Sequence, residues 1–163
     1  MKRAFKSLLL IGLLFLVSCV NLPKREDELS SLYVLKATAH GWIHFNARAY
    51  ITLNDPRDRR KIKPDYEIAG YSFYHDLEQG TYLFHSGSGN RTYYDLLPIK
   101  KEIEVTGRGL QYLGSFRILT GPVGAKDIVR IDGMERREDL RRLDDLIKKS
   151  QRSGWQLELE QPE

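Results

Sequence analysis

The side chains that could do chemistry are few: four histidines, one cysteine, and some acids and hydroxyls close to the histidines. His40, Trp42 and His44 would share one face of a strand, because successive strand residues point to opposite sides. His75 and His85 flank one expected hairpin. Converging imidazoles bind zinc or copper, but nothing in the spacing makes the two pairs meet, and the lone cysteine supplies no thiolate pair. Asp76 follows His75 directly and would face the other way. Ser86 and Ser88 beside His85 sit in a glycine-rich turn, whose backbone freedom explains their company better than an oxyanion hole does. Asp95 and Glu104 have no base or nucleophile for a partner. The chain carries no glycine-rich nucleotide loop, paired-cysteine motif, HExxH helix or nucleophile elbow. The expectation is a non-catalytic protein with no metal and no cofactor.

The cysteine points elsewhere. Lys2, Arg3 and Lys6 precede an almost unbroken apolar run from Leu8 to Val17, and Leu16-Val17-Ser18-Cys19 closes it. A cationic start, a short apolar segment and a small residue before a cut describe a secretion signal. The run is too short to cross a hydrocarbon core of about 30 Å comfortably. The four closing residues resemble the lipobox of bacterial lipoproteins. That resemblance implies removal of residues 1–18, diacylglycerol on the Cys19 thiol, and a palmitate-type acyl group on the new amine. Val20 is not the Asp that retains some enterobacterial lipoproteins at the inner membrane, so the outer membrane is the expected location. The domain would lie in the periplasm or at the cell surface. Two or three acyl chains exceed the single-chain limit at which membrane binding stays reversible.

What remains after residue 18 is 163 minus 18, or 145, residues, enough for one domain with a sizeable core. The net charge of +4 includes the three signal cations and leaves +1, a poor case for a nucleic-acid partner. With its only cysteine consumed by lipid, the domain has no disulfide and must be held by packing.

Residues 19–31, with Pro23 and Lys24-Arg25-Glu26-Asp27-Glu28, read as a short tether; residues 32–160 read as a single β-rich domain. Strand-like runs recur: Leu32 to Ala39, Arg48 to Leu53, Glu67 to His75 with a bulge or bend at Gly70, Thr81 to His85, Thr92 to Leu97, Lys101 to Thr106, Leu110 to Leu119, and Asp127 to Ile131. In the run from Leu110, the inward residues are Leu110, Tyr112 and Phe116, with Gly114 marking a bulge or a close approach. A helix over about 133–151 follows, capped by Asp132 with Glu135, and its stripe is Leu140, Leu143, Leu146 and Ile147. Trp155, Leu157 and Leu159 alternate with polar residues as a final short strand.

Seven or more short strands predict an antiparallel β-sandwich with one C-terminal amphipathic helix. Leu77-Glu78-Gln79-Gly80-Thr81-Tyr82, Ile103-Glu104-Val105 and Tyr112-Leu113-Gly114 resemble the turn-and-strand pattern of transthyretin-like, or prealbumin-like, envelope domains, with Gln79 where that family often has Pro. The resemblance implies the sandwich fold and a non-catalytic accessory or adhesion role, and carries over no functional residue. A small lipocalin-like barrel is the alternative fold, although Gly41-Trp42 lacks the lipocalin glycine, spacer, tryptophan order.

The possible binding surface consists of Trp42, Tyr71, Tyr93 and Tyr94, aromatic residues suited to protein interfaces or sugar rings, and of Arg57, Arg59, Arg60 and Lys61. Those four cations, with Lys63, lie between Asp55 and Asp65 and read as a solvated loop or as a contact for anionic headgroups. The leading functional expectation is a lipid-anchored accessory protein that docks an envelope protein. Lipid or glycan binding is the alternative, and a hydrolase comes third.

Overall fold

The computed structural model describes residues 22–27, 30–41, 44–89, 92–107, 109–150 and 154–157. The signal, Cys19, Trp42 and the expected strand beyond Leu157 lie outside them.

The first strand, β1 (Ser31–His40), sets the architecture. Leu32, Tyr33, Val34 and Leu35 are all buried, a continuous apolar run where a half-exposed strand would alternate. Runs of that kind belong to strands covered on both faces. Tyr33, Leu35, Ala37 and Ala39 point into a core between two sheets. Leu32 and Val34 point the other way, into a second core under a helix.

The remaining strands are β2 (Phe45–Asn46), β3 (Arg48–Leu53), β4 (Tyr66–Ile68), β5 (Tyr71–His75), β6 (Gly80–Gly89), β7 (Thr92–Asp95), β8 (Glu102–Val105), β9 (Gly109–Gly121) and β10 (Gly124–Ile131). One sheet has six strands in the order β10-β9-β1-β5-β4, with β2 also paired to β1; the other has four, β3-β6-β7, with β8 also on β6. The protein is therefore a mainly-β domain of two sheets, with open sheet edges where a lipocalin-like barrel would close. All pairings are antiparallel except that of β1 with β9, which is parallel. This parallel pair and its neighbour β5 have cover on both faces.

The third layer is α1 (Gly133–Lys149), the single α-helix among the described residues, which follows the last of the ten strands. Leu143, Leu146 and Ile147 of the expected stripe are buried in the second core with Tyr71 and Phe73. Asp132 occupies the N-cap position but makes no side-chain capping bond. Glu135, expected to complete a capping box, instead accepts a hydrogen bond from Arg117 of β9 at 2.8 Å. An ion pair to the sheet replaces the local bond.

Two bends differ from the sequence expectation. Glu67 to His75 is two strands, not one, because Ala69 (φ 52°) and Gly70 (φ 84°) reverse the chain in a two-residue turn; positive φ at both central positions is what a type I′ hairpin requires. Opposite the Val34–Leu35 step, β9 carries a bulge in which Leu113 is skipped in the pairing. The bulge swaps faces, so Leu110 and Tyr112 lie on the helix side while Leu113, Phe116 and Ile118 lie between the sheets. A regular strand would have put Leu110, Tyr112 and Phe116 on one side.

The segment read as a tether is packed down. Leu22 is 6% exposed, its amide donates to Ser150 Oγ at 3.1 Å, and the Trp155 indole N–H donates to the Pro23 carbonyl at 2.8 Å. Of the final strand, the described part is a single parallel bridge between Leu157 and Leu110.

Candidate functional site

Two groups of polar side chains need weighing, one open and one closed. The open group lines a cleft of about 580 Å3 where the two sheets meet, between the start of β3, the β4–β5 hairpin and the β6–β7 hairpin. Its local cause is the outward row of sheet positions. Arg48 pairs with Ser88 across β3 and β6, and Ser88 with Tyr93 across β6 and β7, so three outward side chains stand in line. On the inward side of β6, a Cβ at Gly87 would come within 2.9 Å of Ile118 Cδ1, and the missing side chain lets the sheets approach at the cleft's base. At the opposite wall, a Cβ on Gly70 would reach 2.7 Å from the Asn46 amide. Glycine is thus required there for closeness as well as for its φ.

Across this cleft Arg48 makes a bidentate ion pair with Glu67, Nε to Oε1 at 2.6 Å and Nη2 to Oε2 at 2.5 Å. That pairing raises the guanidinium's affinity for its proton, with a smaller contribution from Tyr50. Hydrogen bonding from Ser88, and then from Arg48, holds the Tyr50 phenol below its ordinary value. The Lys61 ammonium lies 4.8 Å from the Tyr50 ring and 5.5 Å from the Tyr93 ring. Lys61 is positioned by an antiparallel bridge between Ile62 and Ile51, which folds the polar loop back along β3. Tyr93 keeps 55% of its surface in solvent. The cleft therefore offers one exposed aromatic ring beside a carboxylate, a guanidinium, an ammonium, the Asn46 amide and the Ser88 and Thr92 hydroxyls.

The closed group joins α1 to the six-stranded sheet. Asp139 is paired with the Lys36 ammonium through one oxygen and accepts from Ser115 Oγ through the other. Tyr112 OH lies 2.5 Å from Ser115 Oγ, and Tyr71 OH donates to the Asp139 backbone carbonyl at 2.7 Å. Burial pushes the Tyr112 phenol up to about 12 and raises Tyr71 as well. Lysine, serine, aspartate and tyrosine together have the types of an acid–base site. Yet Ser115 is fully buried, and both Asp139 oxygens are already engaged by protein partners. Lys36, Ser115 and Asp139 lie in the wall of a groove of about 400 Å3 between α1 and the C-terminal half of β1, so what separates this group from the cleft is that its acceptors are filled from within. These five residues tie the helix to the sheet.

Of the expected binding residues, the structure brings Lys61 and Tyr93 together. Tyr71 borders the cleft but is only 3% exposed, and it packs under α1. Tyr94 is half-buried against the inter-sheet core. Arg60 is tied to Asp58, Arg57 is exposed, and Arg59 lines a separate pocket with Lys100 and Glu102, so these three do not converge on the cleft. Trp42 lies outside the described residues.

His40 and His44 sit with ring centroids 4.1 Å apart. Burial lowers the His40 pKa, and the nearby Arg117 and His44 charges lower it further. His75 is at the other end of β1, opposite Leu32, between Tyr66 and Trp155. His85 contacts its neighbour Ser86. Among the described residues no three metal-ligating side chains cluster.

Arg48, Glu67 and Tyr50 were missed by sequence reasoning. Each is a polar or amphipathic residue on a strand's solvent side, and nothing local shows that Arg48 and Glu67 meet across two sheets. Asp139 did have a signal: it precedes Leu143 by four and Leu146 by seven, which puts it on the buried stripe. No family model, curated protein or solved structure matches this chain.

Proposed function

We propose that this is a lipid-anchored, non-catalytic protein of the cell envelope whose open cleft binds a glycan. The observation that carries the reading is the exposed Tyr93 ring beside the Arg48–Glu67 pair, in a cleft that Asn46, Ser72, Ser88 and Thr92 also line. A sugar presents an apolar ring face and a rim of hydroxyls. The tyrosine ring suits the face. Arg48 and Glu67 each retain spare hydrogen-bonding capacity beyond their mutual bonds, since a guanidinium has five N–H donors and a carboxylate about four lone-pair sites. Lys61 favours a glycan that carries carboxylate or phosphate.

This reading favours glycan binding over the docking of an envelope protein through an aromatic face. Most of the aromatic side chains are spent on the two cores. Among the described residues the exposed large apolar ones, Tyr66, Tyr93, Val123, Val129 and Met134, are spread over β4, β7, the β9–β10 turn, β10 and α1. Interfaces draw on a contiguous apolar centre, which such scatter does not supply. Lipid anchoring is carried by the sequence around Cys19; among the described residues no helix is long and apolar enough to cross a membrane.

Two experiments test the two halves. Metabolic labelling with a fatty acid should mark the wild type and not Cys19→Ala; label that persists in the variant contradicts the anchor. The domain from residue 22 onward should co-sediment with isolated peptidoglycan or bind immobilised envelope polysaccharide, and Tyr93→Ala should weaken this roughly tenfold, or about 1.4 kcal/mol. Binding to neither polymer, or binding indifferent to Tyr93, defeats the glycan reading. Capture of a protein that depends on Tyr93 would restore the docking alternative.

A further inference from the structure

The chain leaves the domain at a defined place. Leu22 and Pro23 are held by Ser150, just past the end of α1, and by Trp155, and the Arg25 guanidinium lies 5.7 Å from the Trp155 ring. Only Val20 and Asn21 separate this clamp from Cys19. Three Cα steps span at most about 11 Å. An acyl group on Cys19 would therefore emerge within about one helix diameter of the clamp, with no length of tether in which the domain could tumble.

The rest of that pole follows from the pairings. The Trp155 ring is 6.2 Å from His75, His75 pairs with Leu32, and the Asp76 amide donates to the Ser31 carbonyl at 3.1 Å. The turn between β5 and β6 thus lies beside the start of β1. The Asn54 amide donates to the Thr81 carbonyl at 2.8 Å, which brings the loop after β3, with Arg57 and Arg59, to the same end. From there β6 runs from Gly80 to Gly89, and ten residues at about 3.3 Å each cover about 30 Å. Ser88 and Gly89, at its far end, line the cleft.

We infer that the acyl anchor holds the domain upright on the bilayer. The pole formed by the C-terminal end of α1, the β5–β6 turn and the loop after β3 meets the lipid headgroups, and the end of the cleft at Ser88, Gly89 and Thr92 is presented away from it. This rests on the proposed acylation of Cys19. Lys24, Lys149, Arg57 and Arg59 are exposed around the lipid-facing pole, where anionic headgroups attract cations. Asp76 and Glu78 lie there too, so the clamp, and not net charge, sets the orientation. The consequence for function is reach: the cleft extends from Ser72, three β5 residues or about 10 Å from His75, to Gly89 at the far end of β6, about 30 Å from the pole, so it samples glycan above the headgroup layer.

The test uses the full-length acylated protein in vesicles of phosphatidylethanolamine and phosphatidylglycerol that carry a headgroup-attached nitroxide quencher. Because Cys19 is the only cysteine, Arg57→Cys, Lys149→Cys and Thr92→Cys each provide a single free thiol for a fluorophore once lipid occupies Cys19. Labels at 57 and 149 should be quenched several-fold more than the label at 92. Equal quenching at the three positions, or stronger quenching at 92, overturns the orientation. A flexible Gly-Ser spacer inserted between Val20 and Asn21 should abolish the contrast, since such linkers are random coils; a contrast that survives the spacer also overturns it. Failure of acylation is read separately, by mass spectrometry of the N-terminal peptide and by protein left in the supernatant. That outcome removes the anchor and this orientation together, while an acylated N-terminal peptide with equal quenching removes the orientation alone.

Discussion

Among the ion pairs that cross between layers of this molecule, two have different fates. Lys36–Asp139 joins α1 to the six-stranded sheet with side chains 16% and 10% exposed; Arg48–Glu67 joins the two sheets with side chains 49% and 33% exposed. The first has the richer cast of reactive types, with Ser115 and Tyr112 in hydrogen-bond contact, but its acceptors are filled from within. The second has plainer chemistry and an open side. Proximity of reactive groups defines a polar network, and access decides whether anything outside the protein can use it. A charged pair taken out of water must be fully satisfied to be tolerated. A pair at a cleft rim keeps hydrogen-bonding capacity for a ligand and contributes little to folding.

The contrast is sharpest when one partner of each pair is removed. Asp139→Ala leaves the Lys36 ammonium and Ser115 without their acceptor and should cost about 3 kcal/mol in urea unfolding, while Lys36→Met with Asp139→Leu should recover most of it. A loss as large in the double variant as in the single one would mean that the pair stabilises by its charge. Trp155→Ala, which strips the clamp on Pro23 and part of the second core, should cost about 3 kcal/mol as well, read as a lower unfolding midpoint and faster proteolysis near residue 22. Tyr71→Phe deletes one buried hydrogen bond to Asp139 and should cost about 1 kcal/mol. Arg48→Ala should cost under about 1 kcal/mol, yet weaken glycan binding. If it destabilises as much as Asp139→Ala, the open pair is structural and the comparison collapses.

The smallest effect belongs to the exposed face of α1. Hydrogen bonds from Arg141 and then Arg142 hold the Glu138 carboxyl at about 2, below its ordinary 4.5. A carboxylate with a depressed folded-state pKa adds stability that is complete above the unfolded-state value and is lost as pH falls through the folded one. Glu138 should therefore still be ionised at pH 3.5, between those two values, when followed by carboxyl carbon chemical shift. The Arg141→Ala, Arg142→Ala double variant should titrate near the ordinary value; an unshifted midpoint in the wild type contradicts the ion-pair geometry.

Much of the fold could be read in advance because burial writes itself into sequence. Ile103 and Val105 alternate with Glu102 and Glu104, and both apolar residues are buried while both acids face water. Leu143, Leu146 and Ile147 recur at helical spacing and are buried. The third layer was also written, in the unbroken Leu32-Tyr33-Val34-Leu35, although a two-layer sandwich predicts alternation there. Gly114 marked its bulge, but the change of face that the bulge produces depends on pairing with β1, which local pattern does not contain. The site was less legible. Tyr93 and Lys61 could be named from type alone, whereas Tyr71 could not be told from an exposed tyrosine without the helix that packs on it. Arg48 and Glu67 are 19 positions apart, and the contact exists only through the stacking of two sheets.

The central claim is that the open cleft, and not the buried polar network, is where this protein works. The most direct measurement is calorimetric titration of the same peptidoglycan or polysaccharide fragments into the wild type, Tyr93→Ala, and the Lys36→Met, Asp139→Leu double variant, with unfolding midpoints recorded for all three. The account predicts that Tyr93→Ala loses binding with its midpoint unchanged, and that the double variant binds like the wild type. Binding lost in the double variant while it stays folded, and kept in Tyr93→Ala, would place the working site under α1 and contradict the account.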